Sequence, residues 1–274
     1  MAERPNRAET ALDEPLVPLP EAGRTFTVDR RVRLGDVTVD GRLRLDAVAR
    51  YCQDTSNDDT RDVDLPDAMA WVVRRTVIDV VRPGHWDEVL SVTTWAGGLG
   101  RRWAERRLQL VGLPEAARSR DMPPEGAVRE SAHLEVSTLW IHLDPASGRP
   151  KTLSDTFLEH YGPSAGDRVV AARRVLPVEI PAEADRHAWP VRRSDLDTLG
   201  HVNNTNYLSV VEEFLPAPWA SAPMRIVVDY GAGVAAGAAL EVAVDRADDR
   251  LDLWWVVDGT VVAAARVVPA VPNA

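Results

Sequence analysis

The chain is short of the residues on which several protein classes depend. Cys52 is its only cysteine, so no internal disulfide forms and no cysteine-based metal site can be assembled. A reducing compartment suits such a chain, and a cytoplasmic location is expected. Lys151 is the only lysine, which leaves arginine as nearly the whole cationic complement. Acidic residues (42) outnumber basic ones (32), for a formal net charge of -10. That balance argues against nucleic acid as a partner, because neutralising phosphates calls for a basic face. Long apolar runs are missing too. The start, "MAERPNRAETALDEPLVPLP", has no apolar core of the kind a signal peptide needs. The weakly polar "GAGVAAGAALEVAV" is too short and too glycine-rich to span a bilayer. No membrane partner is expected.

What remains is ordinary globular material: 274 residues, 45% hydrophobic and 27% charged, enough for two domains of about 130 residues each. Residues 1–24 carry Pro5, Pro15, Pro18 and Pro20 among charges without a period, and predict a disordered tail. Residues 112–130 interrupt a regular region and predict an inserted loop. Residues 161–182, near mid-chain, predict a linker.

Between these segments lie two halves with the same order of elements. In the second, "HAWPVRR" is a strand, and Tyr207, Val210, Val211 and Phe214 then fall at i, i+3, i+4 and i+7, the spacing of an amphipathic helix. Four strand-like segments follow, "MRIVVDY", "ALEVAVDR", "LDLWWVV" and "TVVAAARVV", the last two joined through Asp258-Gly259 as a tight hairpin. The first half repeats this plan from "FTVDRRVRLGD" to "SAHLEVSTLWIHL". One ungapped offset of 159 positions sets Gly41 against Gly200, Val32 against Val191, and Val48, Tyr51 and Cys52 against Tyr207, Val210 and Val211. An internal duplication is the economical explanation. A helix after the first of about five antiparallel strands is the hotdog arrangement. The expected fold is therefore α+β, a tandem (double) hotdog with units at 25–160 and 183–270, each sheet wrapped around its helix and the fusion covering a sheet edge.

The densest polar stretch is "RRSDLDTLGHVNN", residues 192–204. Asp197 stands four residues before His201, where the chain enters the second helix, and Gly200 lies between them. Hydrolytic chemistry needs an activated water or nucleophile and a stabilised oxyanion. A helix N-terminus offers unpaired N–H groups and a favourable dipole for that charge. Turn-and-cap chemistry accounts for the same residue types, so composition alone does not decide between the two.

The block "RRSDLDTLGHVNNTNYLSVVEE" resembles the acyl-acyl carrier protein (acyl-ACP) thioesterases, and "WVVRRTVIDVVRPGHWDEVLSVTTW" and "STLWIHLDPASGRP" are similar to further parts of that family, in register over roughly residues 26–245. The resemblance implies a cofactor-free thioesterase of fatty acid biosynthesis, releasing free fatty acid from acyl carrier protein. It implies Asp197, His201, Asn203 and Glu213 as catalytic residues, with Gly200 and Trp71 touching substrate and no metal. Leu199, Gly233 and Val234 depart from the family pattern, each standing where a polar group is usual. Opposite Asp197 and His201 the first half has Thr38 and Arg42, so the chemistry is expected in the second half and the acyl pocket in the first. Asp195 is expected to be structural and Cys52 to be packing. Arg101, Arg102, Arg106 and Arg107 are candidates for docking an acidic carrier protein. An acyl-CoA thioesterase and a non-catalytic acyl-thioester binder are the competing readings, with a hotdog dehydratase behind them. Chain length, donor and self-association into a homodimer are left open.

Overall fold

The computed structural model describes residues 14–63, 65, 71–114 and 130–269. In chain order the elements are β1 (Thr25–Arg31), α1 (Leu45–Asp62), β2 (Trp71–Arg82), β3 (Val89–Leu99), β4 (Trp103–Gly112), β5 (His133–His142) and α2 (Asp155–Ala165). The second half contributes β6 (Asp185–Trp189), α3 (Asn204–Phe214), β7 (Met224–Tyr230), β8 (Leu240–Arg246), β9 (Leu251–Val257) and β10 (Thr260–Val268). Ten strands form one sheet in the order β1-β3-β4-β5-β2-β7-β10-β9-β8-β6, every pairing antiparallel. The order reads the same from either end once the halves are matched. This is the double hotdog.

The duplication extends to individual hydrogen bonds. In the first turn Thr38 N–H donates to Arg42 O (2.8 Å), Gly41 N–H to Thr38 O (3.0 Å) and Arg44 N–H to Asp36 O (3.0 Å). In the second, Asp197 N–H donates to His201 O (2.8 Å), Gly200 N–H to Asp197 O (3.0 Å) and Asn203 N–H to Asp195 O (2.8 Å). Gly41 and Gly200 hold φ of 82° and 77°, a left-handed conformation that glycine adopts without steric cost. Helices α1 and α3 therefore begin at matched positions, Leu45 and Asn204. Their apolar faces, with Val48, Cys52, Tyr207 and Val211, share one core with Leu108, Ile226, Val242 and Trp255.

The halves join where β2 pairs with β7. Two ion pairs bracket this seam: Arg75 Nε to Asp229 Oδ1 (2.8 Å), and Arg225 to both oxygens of Asp79 (2.6 Å each). All but Arg75 are buried. "RTVID" and "RIVVD" are thus a repeated Arg-x-x-x-Asp motif, each arginine reaching the aspartate of the other copy.

Two stretches differ from expectation. The linker 161–182 begins inside α2, a helix hidden from the sequence pattern by Gly162 and Pro163. Ser154 caps it, accepting from Phe157 N–H at 3.2 Å. Phe157 and Tyr161 then pack with Leu65, Ala96, Ala104 and Leu153. The rest of the linker is a strap. Val175 and Leu176 N–H groups donate to Asp229 Oδ2 (2.6 and 2.8 Å), and Pro177 O accepts from Trp254 Nε1 (3.0 Å). The tail is not disordered throughout: Glu14 O accepts from Arg225 (2.9 Å), Val17 O from Arg107 (3.0 Å), and Arg24 reaches Asp59 (2.8 Å). Buried arginines need acceptors, and the tail's carbonyls supply them. Residues 1–13 and most of the expected loop, 115–129, lie outside the described residues. No described helix is long and apolar enough to cross a membrane.

Candidate active site

The turn ahead of α3 is shaped first by Asp195. Its carboxylate accepts from Arg192 N–H (2.8 Å) and Nε (3.0 Å), and its carbonyl accepts from Asn203 N–H and Asn206 Nδ2, both at 2.8 Å. Asp195 is buried and fully committed to the turn.

Asp197, two residues on, is half-buried. Its Oδ1 accepts from Leu199 N–H (2.8 Å) and His201 N–H (3.2 Å). At the matched position in the first half, Thr38 Oγ1 accepts from Arg42 N–H, also at 3.2 Å. A neutral hydroxyl therefore closes the same turn, and the negative charge at 197 exceeds what the backbone requires. That charge is felt nearby. Tyr207, packed against Tyr230 and Trp255 with ring centroids 5.3 and 5.2 Å away, has its hydroxyl pushed up to about 12, mainly by burial and further by Asp197.

His201 is exposed. Its ring lies against Gly233, where an added Cβ would sit 2.9 Å from the ring Cγ. One of the family departures thus makes room for the imidazole. Leu199 is 68% exposed and projects to solvent, so nothing at that position faces the helix start. Gly200 has open space around it and is required for its φ, not for close approach of a neighbour.

Two expected catalytic residues are placed differently. Asn203 is the N-cap of α3, its Oδ1 accepting from Thr205 N–H at 3.0 Å, so that oxygen is already used. Glu213 is exposed. It stands roughly 13 Å along α3 from the helix start at 1.5 Å per residue, and its charge acts on Arg192. It does not join Asp197. Its neighbour Glu212 turns toward the other half instead, pairing with the buried Arg42 and accepting from Leu45 N–H at 3.1 Å.

Two adjoining cavities lie along α1. One of about 10 Å³ is bordered by Cys52, Gln53, Ser56, Thr76, Thr138, Trp140 and Asn204. The next, about 70 Å³, is bordered by Ser56, Asn57, Thr60, Trp71, Trp140 and Phe157, with Arg106 and Ala104 at its wall. Ser56 and Trp140 border both, so the pair traces a slot from the first residue of α3 to Trp71. Trp71 borders the larger cavity, while Trp95 is core. Cys52 is buried on the α1 face and its thiol is driven up by burial. Arg106 and Arg107 are internal and paired with Asp59 and Glu135, which removes them from a docking surface. Arg101 and Arg102 are exposed.

Residues 23–118 match the acyl-ACP thioesterase N-terminal domain and residues 178–259 the C-terminal domain of that family. The chain belongs to the acyl-ACP thioesterase family. Among relatives of this thioesterase, a Mycobacterium tuberculosis protein described as uncharacterized is 29% identical over 256 residues, 93% of this chain and 96% of its own. A chloroplastic oleoyl-acyl carrier protein thioesterase of Coriandrum sativum is 23% identical over 159 residues, 54% of this chain and 39% of its own. The 12:0-ACP thioesterase from Umbellularia californica shares the fold at TM-score 0.70 and 20% identity, covering 90% of this chain and 97% of that one. Sequence reasoning missed Gln53, for which a signal existed, a polar side chain at the position matched to Glu212; Asn204, which the sequence leaves open between cap and site, borders the smaller cavity.

Proposed function

We propose that the family's reaction, hydrolysis of a fatty acyl-ACP thioester to free fatty acid and carrier protein, runs at the turn before α3, with Asp197 as general base. The observation that carries this reading is the pair of turns with the same hydrogen bonds and different side chains. The first holds Thr38 and a buried, ion-paired Arg42; the second holds a half-buried carboxylate and an exposed imidazole with Gly233 beside it.

A thioester carbonyl at the start of α3 meets N–H groups at the positive end of the helix dipole, which stabilise the developing oxyanion. Asp197 removes a proton from water as the water oxygen attacks the carbonyl carbon. His201 shares that proton and returns it to the sulfur when the carbon–sulfur bond breaks. The acyl chain enters the larger of the two cavities along α1, against Trp71 and Trp140. Of the four candidate arginines, Arg101 and Arg102 at the β3–β4 turn are the exposed pair that meets an acidic carrier protein.

The test is turnover of one acyl chain on carrier protein and on coenzyme A. A higher kcat/KM on carrier protein supports the reading, the reverse favours an acyl-CoA thioesterase, and binding without release of fatty acid would refute catalysis. A single turnover in ¹⁸O-water labels the fatty acid if Asp197 is the base. Label in the Asp197 carboxylate would make it the nucleophile.

A further inference from the structure

The matched halves also match their helices across the seam. Arg42, in the first turn, is locked by Glu212 of α3, and Glu212 accepts from Leu45 N–H at the start of α1. The offset that relates Arg42 to His201 and Leu45 to Asn204 relates Glu212 to Gln53 of α1. Gln53 thus stands toward the second turn as Glu212 stands toward the first. Two exchanges open this second junction: a histidine, shorter than arginine, on the turn, and an uncharged amide on the helix.

Gln53 Oε1 is sealed from solvent and takes no hydrogen bond from the described residues. A buried carbonyl oxygen left without a donor is destabilising, so a fold that keeps one has a use for it. Gln53 borders the cavity of about 10 Å³ that ends at Asn204, the first residue of α3. That volume suits a single water, and Ser56, Thr76, Thr138 and Asn204 provide the additional polar neighbours a held water needs.

We propose that Gln53 holds the attacking water: its Oε1 accepts one water hydrogen while Asp197 accepts the other. The catalytic half thereby borrows a polar group from the half that lacks the reactive pair. It also explains how polar groups can be absent at Leu199, Gly233 and Val234, since the amide arrives across the seam. In the step, the water oxygen bonds to the carbonyl carbon, its proton passes to Asp197, the carbon–sulfur bond breaks, and the thiolate sulfur takes the proton. Gln53 is unchanged throughout. The proposal rests on the reading that hydrolysis occurs at the Asp197 turn.

The experiment compares Gln53→Leu, Gln53→Glu and Asp197→Asn in the full chain, measuring kcat, KM, melting temperature and the pH profile on an acyl-ACP donor. Gln53→Leu should lower kcat tenfold or more, with KM within about twofold and melting temperature not reduced, because an unpaired buried oxygen has been removed. Gln53→Glu should recover most of kcat at high pH. It should add a new acid limb, since a protonated carboxyl donates where an acceptor is needed. A Gln53→Leu enzyme with kcat within twofold of the parent, or one whose loss is confined to KM or to melting temperature, would overturn the proposal. If Asp197→Asn is inactive while Gln53→Leu works normally, Gln53 alone is wrong. If Asp197→Asn keeps its turnover, the Asp197 reading falls instead.

Discussion

Replacing Asp197 with threonine separates the chemistry from the turn that carries it. Threonine already occupies the matched position, where Thr38 Oγ1 accepts from Arg42 N–H at 3.2 Å and supports the same backbone bonds. Asp197 accepts from two N–H groups, Leu199 at 2.8 Å and His201 at 3.2 Å. A threonine there keeps the second and exposes the first to water, because Leu199 is on the surface. The stability cost is then one partly exposed hydrogen bond, about 1 kcal/mol, or roughly 2–4 °C in melting temperature for a chain of this size. Loss of a general base costs about 10²–10⁴ in rate. Asp197→Thr should therefore melt within a few degrees of the parent and release fatty acid at least a hundredfold more slowly. Steady-state kcat on an acyl-ACP donor and a thermal melt of the same preparation test both halves of the statement. A variant that keeps kcat within a few-fold of the parent would return Asp197 to the role that Thr38 performs.

Asn203→Ala should lose about 1 kcal/mol of stability as a helix cap and retain kcat; an unchanged melt with a collapsed kcat would make Asn203 a site residue after all. Cys52→Ala should turn over normally, and iodoacetamide should modify the native protein slowly, because the thiol is buried and burial disfavours its thiolate. Rapid inactivation that an acyl analogue blocks would point to a thiol mechanism. Asp229→Ala strips Arg75, Val175 N–H and Leu176 N–H of one shared acceptor. A loss on the order of 3–5 kcal/mol, or roughly 6–20 °C in melting temperature, is expected. A drop of only a degree or two would mean that the strap does not depend on this carboxylate.

The repeat was legible because apolar spacing reports which side of an element is buried, and both halves bury the same positions. The hairpin at Asp258 and Gly259, with φ of 50° and 74°, was legible because few residue types tolerate that turn. What stayed hidden depends on pairing across long sequence distances. The helix at Asp155–Ala165 carries Gly162 and Pro163, which read as punctuation, and its stability comes from packing on Leu65, Ala96, Ala104 and Leu153. Helix propensity could not disclose that. Residues 14–24 are proline-rich and without a period, yet they are held by arginines at Arg107 and Arg225 that the local sequence does not announce. Glu212 and Glu213 are adjacent and chemically alike, and only the rotation of α3 against the first half shows which one reaches across. The family resemblance had favoured Glu213.

The seam explains why one chain holds a locked junction and an open one. Two cross-strand pairs, Arg75 with Asp229 and Arg225 with Asp79, fix β2 against β7. With the strands fixed, the helices α1 and α3 cannot slide independently, and the two helix-to-turn contacts become free to diverge. At one of them, Arg42 and Glu212 form a buried ion pair that also caps α1; removing either partner would strand a charge, at a cost of about 3–5 kcal/mol. At the other, the turn carries a half-buried carboxylate and an exposed imidazole, while the helix carries an amide oxygen that takes no hydrogen bond from the described residues and borders a small cavity ending at Asn204. Stability is concentrated at the seam and at the locked junction, so the second junction can keep polar groups that do not pair with one another without loosening the fold.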